Sequence, residues 1–242
     1  PFHNTHFTMS HFFLRSKHYL LFVPLFLTTL SGWVAQATYG QRVQEWGQEM
    51  QDGGDFDFSG FNLADYNGYF YAFIAMILLA LVTQVGWYRA VGQDLKRYLP
   101  DHTSLNDNTF KATLILQVAS SLLMVGFMWY GWNWAGANIP TWIENDGMSP
   151  EGGKEMLMSA LKMAGLFLAI ALIGFLAQVY NCYFAGKTLK TIEEGCSAKG
   201  GRIVGYVILS YFLVLGVWIM QPKVNRLVET GSMAKAGNDG VW

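Results

Sequence analysis

The chain has 242 residues, of which 52% are hydrophobic and 14% charged, against roughly 25% charged in soluble domains. A net charge of −1 supplies no basic stripe to displace counterions from nucleic acid, and two cysteines outside any CxxC pair, Cys182 and Cys196, supply no disulfide framework. Nearly all charge falls between five apolar stretches, 19–39, 69–91, 112–134, 163–184 and 203–220; since about 20 apolar residues cross a ~30 Å hydrocarbon core, a large water-soluble domain is excluded.

The pattern predicts an all-α fold, a polytopic transmembrane helix bundle of four spans and a shorter fifth. Residues 1–18 form an N-terminal segment ahead of the bundle. Its histidines, His3, His6 and His11, with His18, share no single helical face, and no Cys or acidic residue joins them. No metal, haem or other cofactor is therefore expected. The first stretch follows Arg15 and Lys17 and contains Ala35-Gln36-Ala37. A basic start and a small-residue site have the form of a secretory signal, but the apolar run exceeds a signal's length and reads as an uncleaved anchor.

The connection 41–66 is acidic. Val43, Trp46 and Met50 recur at helical spacing opposite Glu45 and Glu49, which suggests a short helix lying on the membrane surface. Further on, Asp55-Phe56-Asp57-Phe58-Ser59-Gly60 opens like a calcium-binding loop, with oxygen ligands at alternate positions before a turn glycine. The twelfth position, where a bidentate Glu belongs, holds Tyr66, with Asp65 one residue early. Asp55, Asp57, Ser59 and Asp65 are thus a calcium candidate with an incomplete ligand set, weighed against a plain solvated loop.

Within the second, third and fourth stretches the polar side chains fall at one depth. Gln84 precedes the end of its stretch by seven residues, Gln117 follows the start of its own by five, and Gln178 precedes its end by six, with Asn181 one turn beyond. Each lies roughly 8–11 Å inside the same boundary. Carboxamides in hydrocarbon seek partners on neighbouring helices, so Gln84, Gln117, Gln178 and Asn181 are expected to form a polar layer that fixes helix register or receives a small solute or lipid headgroup. No ionisable group accompanies them, which argues against proton or ion transport. Lys162, near one end of the fourth stretch, can snorkel. Gly165, Ala169 and Gly174 in the same stretch offer small-residue spacing for close helix approach. At 100° per residue Gly165 and Ala169 share a face and Gly174 serves the opposite one, so the fourth helix is expected at the centre of the bundle.

Trp and Tyr gather at stretch ends (Tyr69, Tyr71, Trp87, Tyr88, Trp129, Trp132 and Trp134), as an interfacial aromatic belt does. Basic residues gather before the first stretch, between the second and third, and between the fourth and fifth; the other two connections are acidic. The positive-inside bias then puts the N-terminus in the cytoplasm of a multi-pass cell-membrane protein. The fifth stretch, 203–220, is about 27 Å long as a helix. A full span is favoured over a re-entrant helix, although it would carry Lys223 and Arg226 outward. Residues 221–242 read as a flexible tail.

The run Ala185-Gly186-Lys187-Thr188-Leu189-Lys190-Thr191-Ile192-Glu193, the segment end Gly216-Val217-Trp218-Ile219-Met220 and the following Gln221-Pro222-Lys223-Val224-Asn225-Arg226 resemble a family of small polytopic bacterial membrane proteins of unknown function. In that family the last apolar stretch also runs into a Gln-Pro-basic-x-Asn motif; the surroundings of Leu99-Pro100 and Phe110-Lys111 are similar too. The resemblance covers about a third of the chain. It implies the bacterial inner membrane and no large extramembrane domain, and it transfers no site residue. The expected role is a non-enzymatic accessory or scaffold component, whose partners are the lipid bilayer and other membrane subunits. The alternative is a small-solute transporter or channel-like protein using the glutamine layer. A membrane enzyme ranks below both, because no paired carboxylates, metal-ligand cluster or activated nucleophile stands out.

Overall fold

The computed structural model of the chain describes residues 9–27, 30, 33, 67–100, 103, 105–144 and 150–233. Among these the ordered elements are all helical: α1 (Met9–Arg15), α2 (His18–Leu27), α3 (Asn67–Gln93), α4 (Asp107–Glu144), α5 (Pro150–Glu194), α6 (Val204–Tyr211) and α7 (Leu213–Thr230), with 3-10 turns at Asp94–Tyr98 and Gly200–Ile203. Three stretches are long and apolar enough to cross a membrane, Asn67–Tyr98, Asp107–Asn138 and Leu161–Glu194; the bent pair Gly200–Tyr211 and Leu213–Thr230 makes a fourth if counted as one span.

That is fewer than the four spans plus a fifth expected from the sequence, and two stretches account for the difference. Of 19–39 the described residues are 19–27, Leu30 and Trp33, all helical. The continuous piece, α2, covers ten residues, about 15 Å, and the rest of the stretch lies outside the described residues. The fifth stretch is not one helix. Phe212 leaves helical geometry at φ −87°, ψ 58°, and the axes on either side of it are bent by 117°. Gly216 permits this: its Cα faces the Leu209 carbonyl, and a Cβ there would overlap that oxygen. The tail is also corrected. Helix α7 continues to Thr230, because Gln221, Val224 and Leu227 are fully buried, and it closes on Gly231 at φ 75°, whose N–H bonds Leu227 O at 2.8 Å, a left-handed glycine cap.

The chain divides into two compact units. The first gathers Pro1–Phe26, Leu79–Val118 and Gly174–Trp242 and holds the hydrophobic core, in which Trp87, Tyr88, Phe110, Leu189, Val217 and Met220 are closed to solvent. Phe110 of α4 and Phe184 of α5 stack at 4.1 Å between ring centroids. Gly92 of α3 leaves the room that Phe110 fills, and Gly86 leaves room for Phe13 of α1. The second unit takes Leu27–Leu78 and Ala119–Ile173. Here Trp132 of α4 donates its Nε1–H to Asn67 Oδ1 at 2.7 Å and stacks on Phe70 of α3 at 4.6 Å, while Phe127 of α4 meets Phe167 of α5 at 5.9 Å.

Candidate functional site

Gln84, Tyr88, Thr113, Gln117 and Asn181 of the first unit form one connected chain of hydrogen bonds. Gln117 of α4 donates through Nε2 to Gln84 Oε1 on α3 at 3.3 Å. Its own Oε1 accepts from Asn181 Nδ2 on α5 at 2.7 Å. The Asn181 carbonyl oxygen lies 2.7 Å from the Thr113 hydroxyl, which is also 2.9 Å from Phe110 O and so serves one acceptor at a time. At the other end, Gln84 Nε2 reaches Tyr88 Oη at 3.5 Å. Three helices are thereby tied by amides bonded to one another, as polar groups held away from water require.

Gln178 is not part of this chain. It is half-buried on α5, and no hydrogen bond joins it to Gln84, Gln117 or Asn181; Asn181, one turn later, takes the place expected for it. Thr113 does not stand out in the sequence, and Tyr88 reads there, with Trp87, as an interfacial belt residue. Both rings are instead closed to solvent in the core, and Thr113 and Tyr88 each stand four residues, one helical turn, from a layer glutamine.

Tyr88 carries the network into the broken segment. Its hydroxyl donates to Ser210 O on α6 at 2.8 Å; the Cys182 thiol of α5, 3.1 Å away, then donates to the Tyr88 oxygen. The final carbonyls of a helix have no partner within it, and where α6 stops at Phe212 the tyrosine supplies one of them with a donor. Tyr88, Cys182 and Ser210 are all closed to solvent.

A second hub lies in the Gln-Pro-Lys-x-Asn run. Gln221 accepts from Trp87 Nε1–H of α3 at 2.9 Å. Its amide nitrogen faces Phe13 O at 2.8 Å, Ser16 O at 3.2 Å and Asn225 Oδ1 at 3.0 Å, and Asn225 Nδ2 also donates to Ser16 O at 3.2 Å. Lys223 donates to Glu193 of α5 at 2.7 Å and to the Tyr206 hydroxyl of α6 at 2.9 Å; the other Glu193 oxygen accepts from Lys190 at 2.8 Å. One turn of α7 thus binds the end of α1, the end of α3, the end of α5 and the start of α6.

Comparison with protein-family models, with characterised proteins and with solved structures finds no match to this chain.

The remaining sequence candidates fall differently. Asp55, Asp57, Ser59 and Asp65, the proposed surface helix around Trp46, and His3 and His6 lie outside the described residues. Among the described residues no group of three or more His, Cys, Asp or Glu is placed to hold a metal ion. His18 packs its ring 4.3 Å from that of Trp218. Lys162 is exposed. The small-residue face of α5 is corrected: nothing stands within 4 Å of where a Gly165 side chain would begin, and Ala169 is exposed. Gly174 is half-buried. A glycine of α5 that does admit a neighbour is Gly186, where a Cβ would lie 2.9 Å from Val207 N.

Proposed function

We propose that the chain is a non-enzymatic component of a membrane assembly, acting by presenting apolar helix faces to lipid and to other membrane proteins. The observation that carries this reading is the contrast between its polar and apolar groups. The amides at membrane depth are used on one another across α3, α4 and α5, which leaves a register-setting clasp in place of an open solute site. Large apolar side chains instead face outward along α5, with Leu168 at 66% and Leu176 at 59% exposure. Lipid offers helices no hydrophobic force for association, so packing faces of this kind act through shape and dispersion.

The basic residues support a multi-pass arrangement with the N-terminus in the cytoplasm. Arg15, Lys17, Arg89, Lys96, Arg97, Lys111, Lys187, Lys190, Lys199, Arg202, Lys223 and Arg226 all belong to the first unit, while the described basic side chain in the second is Lys162.

The test is photo-crosslinking in native membranes from an unnatural aromatic residue at Leu168 or Leu176, followed by affinity isolation in mild detergent. The expected result is one discrete protein adduct in near-stoichiometric amount. A lone monodisperse species with lipid adducts only, or solute uptake by vesicles reconstituted with the purified chain, overturns the reading.

A further inference from the structure

The bent pair α6–α7 has its two ends at one level. Tyr206, in the first turn of α6, is hydrogen-bonded at 2.9 Å to Lys223, which stands beyond the bend on α7. Two residues earlier Gln221 bonds to Phe13 O and Ser16 O, on either side of Arg15, and Lys223 also reaches Glu193, near the end of α5. The returning arm therefore arrives beside the segment that leads into α2 and beside the end of α5.

Depth arithmetic agrees with that return. The eight residues of α6 rise about 12 Å, and the stretch from Leu213 to Gln221 rises about 13 Å, at 1.5 Å per residue. Either arm matches half of a ~30 Å hydrocarbon core and neither crosses it. The outer face of the pair is apolar up to Gln221: Val204 and Ile208 are each 51% exposed, Phe212 56%, Leu215 64%, Trp218 47% and Ile219 52%. Past Gln221 the exposed positions turn to Pro222, Arg226 and Glu229, so the change in surface chemistry falls where the hairpin regains its starting level.

We propose that residues 203–230 form a re-entrant hairpin whose outer face is covered by the acyl chains of a single leaflet. It enters from the face that carries Arg15 and Lys17, turns at Phe212 and returns to the same face. The end of α7 then lies on the side of α1. This removes the conflict in the sequence reading, since Lys223 and Arg226 now share a side with Lys199 and Arg202, as the positive-inside bias demands. The proposal rests on the membrane-embedded part of the functional reading and not on the partner.

The chain contains its own reference for the test. Cys196 is exposed in the connection between α5 and α6, and Cys182 is buried. Ser232, just past α7, is exposed. Ser232→Cys in a Cys196→Ser background and the unmodified chain are each treated with a membrane-impermeant maleimide, in membrane vesicles of both orientations. The expected result is labelling of both in the same vesicle orientation; labelling in opposite orientations overturns the hairpin. A second measurement places an environment-sensitive fluorophore at Phe212→Cys in a background lacking Cys196. Quenching by acyl-chain spin labels is expected, whereas quenching by aqueous iodide and not by the lipid labels overturns the embedding. Both results are read independently of whether a partner is recovered.

Discussion

Trp87 and Gln221, 134 residues apart, meet in the core through an N–H···O bond of 2.9 Å. Both side chains are almost completely closed to solvent, so each is the other's substitute for water. The pairing decides how α7 sits against α3, and it fixes α1 as well, because the same amide turns its nitrogen to Phe13 O and Ser16 O. A polar residue in an otherwise apolar helix face is thus an organising centre for three segments distant in the chain.

Gln221→Leu keeps the volume but leaves the Trp87 N–H and the Phe13 carbonyl without partners. An orphaned buried group costs about 1–3 kcal/mol, so a loss of roughly 2–5 kcal/mol is expected in reversible denaturation from mild into denaturing detergent. Gln221→Glu should be no better: it retains an acceptor for Trp87 but sets carboxylate oxygens against two carbonyls. Near-wild-type stability in the leucine variant would mean that packing alone docks α7.

The glycines give an opposed pair. Gly216→Ala forces a methyl group into the Leu209 carbonyl, and because that neighbour is backbone the bend itself must open. Overpacking of this kind costs about 1–3 kcal/mol. At Gly165 nothing stands within 4 Å of the new side chain, and alanine improves helix propensity by up to about 1 kcal/mol. The expected order in the same assay is Gly216→Ala well below the parent and Gly165→Ala equal to it or above.

The two amides of α5 separate a bonded from an unbonded position on one helix. Asn181→Leu removes a donor to Gln117 and an acceptor for Thr113, while Gln178→Leu breaks no bond to the layer. A double-mutant cycle between Gln117 and Asn181 should return a coupling of about 0.6 kcal/mol or more, up to the ~1.7 kcal/mol ceiling for bonds between membrane helices. The same cycle between Gln117 and Gln178 should return a value close to zero.

Much of this architecture was legible because hydrocarbon imposes it on composition. The stretches 69–91, 112–134 and 163–184 all fall inside described helices, and the rise per residue placed Gln84, Gln117 and Asn181 where they could meet. Depth alone could not say which way a side chain faces, which is why Gln178 was grouped with them one turn too early. Gly165 and Ala169 show the same limit: small-residue spacing is compatible with close packing and with a lipid-facing surface, and the choice between them belongs to the neighbouring helices. The bend in the fifth stretch is illegible in the sequence for a third reason. Nothing at Phe212 breaks a helix locally; the bend depends on Gly216 meeting Leu209 and on Tyr88 capping Ser210, contacts that appear once α3 and α6 are assembled.

That last contact can be isolated by one atom. Tyr88→Phe keeps the ring in the core and deletes the hydroxyl, so Ser210 O loses its donor and Cys182 its acceptor. The expected cost is about 1–2 kcal/mol, and it falls on the attachment of the broken segment to α3 more than on global unfolding. Cys182 reports it directly, because its thiol is closed to solvent and reacts only when that region opens. Alkylation by a membrane-permeable maleimide should therefore accelerate about 5- to 30-fold in Tyr88→Phe, measured in a Cys196→Ser background. The control is Tyr183→Phe, where the ring is 42% exposed and the rate should not change. If both variants react at the parental rate, the phenol ring holds the bend by packing and its hydroxyl is dispensable.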